Sequence, residues 1–248
     1  MNREELKRYI GITGYSLGQV EKDYFQHMAL GALSRKLSEP LVFKGGTALQ
    51  KLGVITRFSE DLDFTTRSEL KIQKLQDIIT NVIQNYNYSV ELENSVDDER
   101  TIGFRIKIQG PLYRNRRGIC TIRIEVSKRE RIILEPEKTE FTPPYSDILP
   151  YIIKVMQRYE MLAEKVRAIY TRHKARDLYD IYKLLETGIN FNIDLANEKL
   201  KYYNLEFDST TFIEHCKRLE PNWENELQSL MGKIIPFKKI LETVMEII

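Results

Sequence analysis

Between residues 102 and 126 the hydrophobic period is two. Ile102, Phe104, Ile106 and Ile108 alternate with Arg105, Lys107 and Gln109, and Ile122, Ile124 and Val126 alternate with Thr121, Arg123 and Glu125. Only strands that bury one face carry such a pattern. A Gly-Pro and an Asn-Arg-Arg-Gly run lie between the two halves, which predicts a β-hairpin.

Elsewhere the period is helical. Residues 3–10, 17–38 and 69–86 space their apolar positions as helices do, the second ending before the Ser38-Glu39-Pro40 break. Leu41, Val42 and Phe43 lead into Lys44-Gly45-Gly46-Thr47. Ala48 to Leu52 reads as a short helix stopped by Gly53, and a strand begins near Asp61. Pro136, Pro143, Pro144 and Pro150 mark the stretch from Glu135 to Pro150 as a linker, after which the pattern is helical to the end. The expectation is an α+β fold: a small mixed β-sheet flanked by helices over residues 1–135, with N-terminal helices, and a helical C-terminal domain over 150–248. A length of 248 residues suits two small domains sharing a cleft.

The opening MNREELKRYI is charged and mixed, and no stretch approaches a membrane span, which predicts a cytoplasmic protein with no membrane partner. Cys120 and Cys216 lack disulfide or zinc spacing and read as free thiols. His27, His173 and His215 are too scattered in sequence for a metal cluster. The net charge of +2 conceals a local excess: between residues 103 and 133 nine Lys or Arg face only Glu125 and Glu130. Such a strip attracts phosphate-rich partners or is simply a solvated face.

Asp61 and Asp63 are one residue apart, so on a strand both carboxylates project from one face while Leu62 enters the core. Magnesium prefers hard oxygen ligands and is usually held by one or two carboxylates together with substrate phosphates. Glu125, on the polar side of its strand, is a candidate third acid, as ligand or as base, or else a structural residue. Three acids suffice for two metals about 4 Å apart, of the kind that serve an attacking hydroxyl and a leaving pyrophosphate. Upstream, Gly45 and Gly46 allow close backbone approach to phosphate, and Thr47 adds a hydroxyl as cap or phosphate donor. The spacing is neither a Walker P-loop nor a GxGxxG fingerprint.

Phe43-Lys44-Gly45-Gly46-Thr47-Ala48-Leu49 followed by Arg57-Phe58-Ser59-Glu60-Asp61-Leu62-Asp63-Phe64 resembles the signature of the AbiEii/MenT toxin family, within the DNA polymerase beta-like nucleotidyltransferases. Glu164-Lys165-Val166-Arg167-Ala168 and Arg176-Asp177-Leu178-Tyr179-Asp180-Ile181 resemble its second half, so the likeness spans roughly residues 40–185. The resemblance implies that Gly45, Gly46 and Thr47 cradle an NTP triphosphate, that Asp61 and Asp63 bind Mg2+, and that Lys165 contacts nucleotide phosphate. It implies that Asp177 or Asp180 completes the site. It also implies nucleotide transfer to an acceptor, in the family the 3′ end of tRNA, and a cognate antitoxin, as in type IV toxin–antitoxin or phage-defence systems.

Arg114, Arg116 and Arg117 in the hairpin turn, with Arg123, Lys128, Arg129 and Arg131 nearby, form a candidate RNA-binding surface on which Tyr113 stacks a base. Two rival readings keep the fold and change the outcome. One is a nucleotidyltransferase acting on a protein or small molecule, and the other is a catalytically inactive nucleotide-binding module.

Overall fold

The computed structural model describes residues 1–37 and 39–248; Ser38, first residue of the predicted break, lies outside the described residues. The chain forms two compact units, interleaved in sequence. Unit 1 comprises Met1–Ala48, Glu60–Arg131 and Pro136–Val155, and unit 2 comprises Leu49–Ser59, Ile132–Glu135 and Met156–Ile248.

Unit 1 begins with α1 (Arg3–Lys7), α2 (Ile10–Thr13) and α3 (Leu17–Lys36). Ser16 and Gln19 close a capping box at the start of α3, satisfying amides that would otherwise lack partners. This helix is buried on nearly every side, so its polar residues need partners too. Glu21 accepts from the Leu112 amide at 2.7 Å, Asp23 from the Tyr145 hydroxyl at 2.8 Å, and His27 meets the Tyr151 hydroxyl at 2.8 Å.

There follow β1 (Leu41–Lys44), α4 (Gly45–Lys51), β2 (Leu62–Thr66), α5 (Ile72–Asn85), β3 (Ser89–Asp97), β4 (Thr101–Gln109), β5 (Cys120–Ser127), β6 (Glu137–Phe141) and β7 (Tyr151–Val155). The strands form one mixed sheet in the order β3-β4-β5-β2-β1-β7-β6. Among the described residues, the β2–β5 and β1–β7 pairs are parallel and the other pairs antiparallel.

The hairpin is β4–β5, with Phe104 opposite Ile124 and Ile106 opposite Ile122. Its seven alternating apolar side chains are at most 1 % exposed, each contributing roughly 1.5–3 kcal/mol of burial. Helix α5 lays Leu75, Ile78, Ile79 and Ile83 into the same core.

Three strands depart from the pattern. Strand β6 lies inside the proline-rich stretch read as a linker, and β7 follows Pro150 where a helix was expected. Tyr151, Ile153 and Val155 are buried while Ile152 is exposed, a period of two too brief to stand out beside α6 (Arg158–Thr171), which begins three residues later. The sheet therefore continues past residue 135. Strand β3, also unexpected, is largely exposed and hides its alternation among acids.

Unit 2 contains the end of α4, then α6, α7 (Ala175–Glu186), α8 (Ile193–Lys201), α9 (Ser209–Lys217), α10 (Trp223–Leu227) and α11 (Phe237–Ile247). Helix α7 buries Leu178, Ile181, Leu184 and Leu185 at helical spacing. Among the described residues no helix is long and apolar enough to cross a membrane. Cys120 and Cys216 are free and buried, and burial pushes both thiols up to about 12.

Candidate functional site

In unit 1, β1 runs directly into α4 at Gly45, where φ is +77°. That conformation alone favours glycine, and the surroundings require it as well. A Cβ at position 45 would lie 2.9 Å from Asp63 Cβ and 3.0 Å from its Cγ. Asp63 is drawn there by the antiparallel β1–β2 register, which sets it opposite Lys44. The glycine turn and the second carboxylate are thus one packed feature.

Asp61 immediately precedes β2. The Thr47 hydroxyl, fully buried, donates to the Asp61 carbonyl and ties the first turn of α4 to the chain entering the strand. Gln26 Nε2 of α3 donates to the Glu60 carbonyl at 2.9 Å. Leu62 is completely buried and the carboxylates on either side of it are half-buried.

Parallel pairing of β2 with β5 sets Glu125 in register with Asp63. Glu125 also accepts from Arg123 Nη2 at 2.5 Å, both side chains remaining partly exposed. Lys44 Nζ reaches Glu130 Oε2 at 2.8 Å, a pair with both side chains under a tenth exposed. Among the described residues no three His, Cys, Asp or Glu side chains gather into a metal-holding group. The Asp61–Asp63 pair remains the hard-oxygen donor set, of the size magnesium takes when phosphates supply further ligands. Arg114, Arg116 and Arg117 lie exposed in the 110–119 connection, with Tyr113 half-buried beside them.

In unit 2, Lys165 on α6 lies between the two aspartates of α7. Its Nζ is 2.8 Å from Asp177 Oδ1 and 2.7 Å from Asp180 Oδ2. Arg57 donates from Nε and Nη2 to the two oxygens of Asp180 at 2.7 and 2.6 Å, and Arg172 donates to both oxygens of Asp177 at 2.9 Å. Asp177 and Asp180 are fully buried. Burial alone would raise their carboxyls. The charges of Lys165 and Arg172 hold Asp177 well below the usual carboxylate range, and those of Arg57 and Lys165 hold Asp180 below it too.

Neither Arg57 nor Arg172 is marked as a partner of these aspartates by the local sequence. The contacts of Arg57 join residues 123 apart and leave no local signal. His173 Nε2 and His215 Nδ1 also meet, at 3.1 Å, across 42 residues.

A family model described as nucleotidyl transferase AbiEii toxin, type IV TA system, matches residues 29–243. Among curated proteins, none matches the sequence. JHP933 from Helicobacter pylori is similar in structure, with 20% identity, 93% of this chain and 90% of that chain covered, and a TM-score of 0.64. MenT4, the nucleotidyltransferase toxin Rv2826c of Mycobacterium tuberculosis H37Rv, is similar at 20% identity, covering 99% of this chain and 88% of that one, with a TM-score of 0.66. At such identity the likeness concerns the fold.

Proposed function

The chain belongs to the AbiEii nucleotidyltransferase toxin family of type IV toxin–antitoxin systems, and from that premise we propose that it transfers a nucleoside monophosphate from an NTP to the 3′ end of a tRNA, with Mg2+, in the cytoplasm and under restraint by a cognate antitoxin. The observation that carries the reading is the packing of Gly45 against Asp63, which joins a phosphate-approaching turn to a carboxylate pair.

Gly45, Gly46 and Thr47 lie against the triphosphate. Asp61 and Asp63 hold Mg2+, which when bound neutralises phosphate charge and favours departure of pyrophosphate. The acceptor 3′-hydroxyl oxygen forms a bond to the α-phosphorus as the bond from that phosphorus to the β-phosphate bridging oxygen breaks. Glu125, in register with Asp63, receives the hydroxyl proton or orients the hydroxyl, and pyrophosphate leaves with the displaced electron pair. Lys165, held in place by its ion pairs with Asp177 and Asp180, meets a nucleotide phosphate. Arg114, Arg116 and Arg117 contact acceptor phosphates. Positioning and charge neutralisation supply most of the acceleration.

The test is incubation of the purified protein with each α-labelled NTP, Mg2+ and total RNA, beside an Asp61→Ala, Asp63→Ala double variant. Label on tRNA with the wild type alone is the expected result. Label that appears only on protein or small hydroxyl compounds would refute the acceptor, and NTP binding without any transfer would refute catalysis.

A further inference from the structure

The face of β4 and β5 that carries Glu125 holds an arrangement that folding alone disfavours. Arg105 and Arg123 stand directly opposite each other in the antiparallel register, both exposed. Directly opposed side chains in such a pair have Cβ atoms about 4.5–5.5 Å apart, and like charges at that spacing destabilise a sheet.

Neighbouring acids offset the opposition only in part. Arg123 is tied to Glu125 at 2.5 Å. Glu93 of β3 is in register with Arg105, yet it pairs with Lys107 instead. Arg105 itself has no side-chain hydrogen bond or ion pair among the described residues. Next to it along β4, Gly103 faces Glu125 in register, and a Cβ there would meet nothing closer than the Ile124 carbonyl at 4.0 Å. Space and an uncommitted guanidinium therefore adjoin the strand position beside Asp63.

We propose that this face of β4 and β5, with Arg105 and Arg123 at its centre, is the track for the phosphodiester backbone of the acceptor RNA's single-stranded 3′ end. The inference rests on the RNA-acceptor reading above and assigns residues to it. A phosphate between the two arginines turns their repulsion into shared attraction, and the planar guanidinium matches phosphate geometry. The track has a direction. From Glu125, next to Asp63, two residues along β5 lead to Arg123, a step of about 6.7 Å. Lys107 and Thr121 follow in register, and the 110–119 connection ends the path with Arg114, Arg116 and Arg117 exposed. A terminal hydroxyl at Asp63 thus leaves its preceding phosphates along a basic line.

The full chain is assayed for label transfer to a single-stranded RNA oligonucleotide at varied RNA and NTP concentrations, comparing wild type with Arg105→Glu, Arg105→Gln and Arg105→Lys. Arg105→Glu is expected to raise the KM for RNA by about 10-fold or more, since charge-assisted contacts carry effects of that order. The KM for NTP stays unchanged, Arg105→Gln gives a smaller rise, and Arg105→Lys restores part of the loss. The salt dependence of RNA binding should fall by a slope of about 0.7 per lost phosphate contact. An unchanged KM for RNA in both Arg105→Glu and Arg105→Gln, with active wild type, overturns the track and leaves the acceptor reading standing. Unchanged RNA use with weakened antitoxin inhibition would assign the arginines to an acidic protein segment and overturn it equally. A wild type that labels no RNA at all overturns the acceptor reading, and the track with it.

Discussion

Two pairs of aspartates occupy opposite environments in this molecule. Asp61 and Asp63 are half-buried at the start of a strand, shaped by a glycine turn and a threonine hydroxyl. Asp177 and Asp180 are fully buried, and each engages two cations. The first arrangement leaves its residues partly exposed to solvent. The second commits its carboxylates to protein partners, because a buried charge is tolerated only when paired and hydrogen-bonded. Identical side chains thus serve different ends. One pair is suited to binding, and the other holds Lys165 and Arg57 in place.

The sharpest way to break this contrast is Asp180→Asn. It leaves Arg57 and Lys165 with an uncompensated buried charge, and loss of about 3–5 kcal/mol in urea unfolding is expected. Full stability with lost transfer would mean that Asp180 is catalytic and that the two pairs are alike. Next in size, Asp63→Ala should reduce transfer by about 10²–10³-fold, the range for removing one preorganised electrostatic partner. Its unfolding midpoint should fall less than that of Asp180→Asn, and an equal or larger drop in stability would break the comparison from the other side.

Gly45→Ala lies between the two behaviours. Positive φ and the approach of Asp63 together predict about 1–3 kcal/mol of destabilisation. Activity should fall as well, since the carboxylate must shift, and an activity change without any stability change would argue against the packing. The smallest effect is Arg172→Ala. Its own side chain is 51% exposed and strands no charge, and Asp177 keeps Lys165, but the buried carboxylate loses two hydrogen bonds, so about 1–2 kcal/mol is expected, against several for Arg57→Ala.

Acid sharpens the same distinction. The folded carboxyls of Asp177 and Asp180 are depressed, so the stability they contribute is present above the unfolded value of about 3.9 and is lost as pH falls towards the folded values. Equilibrium unfolding should show this network's contribution unchanged from about pH 7 to about pH 5 and declining below about pH 4. A decline that begins near neutral pH would contradict the paired, ionised state.

Much of unit 1 is legible in the chain because its signals are short-range. Alternating isoleucines announce β4 and β5, and the spacing of Asp61, Leu62 and Asp63 states which side chains share a face. Strand β3 was missed because an edge strand exposed on both faces has no apolar alternation strong enough to read, and β6 because prolines surround it. The coupling of Arg57 to Asp180 was invisible for a different reason. Nothing local in either segment depends on the other until both are buried.

By itself, then, the sequence determined which segments alternate, which residues form the glycine turn and the acid pair, and the family to which those motifs point. Tertiary structure alone decided that β2 runs parallel to β5, so that Glu125 stands beside Asp63, and that Arg105 faces Arg123. It also decided that Asp177 and Asp180 are enclosed by Lys165, Arg172 and the sequence-distant Arg57. The physical reason is range. Periodicity follows from backbone geometry over a few residues, whereas strand partners and buried ion pairs are selected by burial of the whole core, which no local window contains.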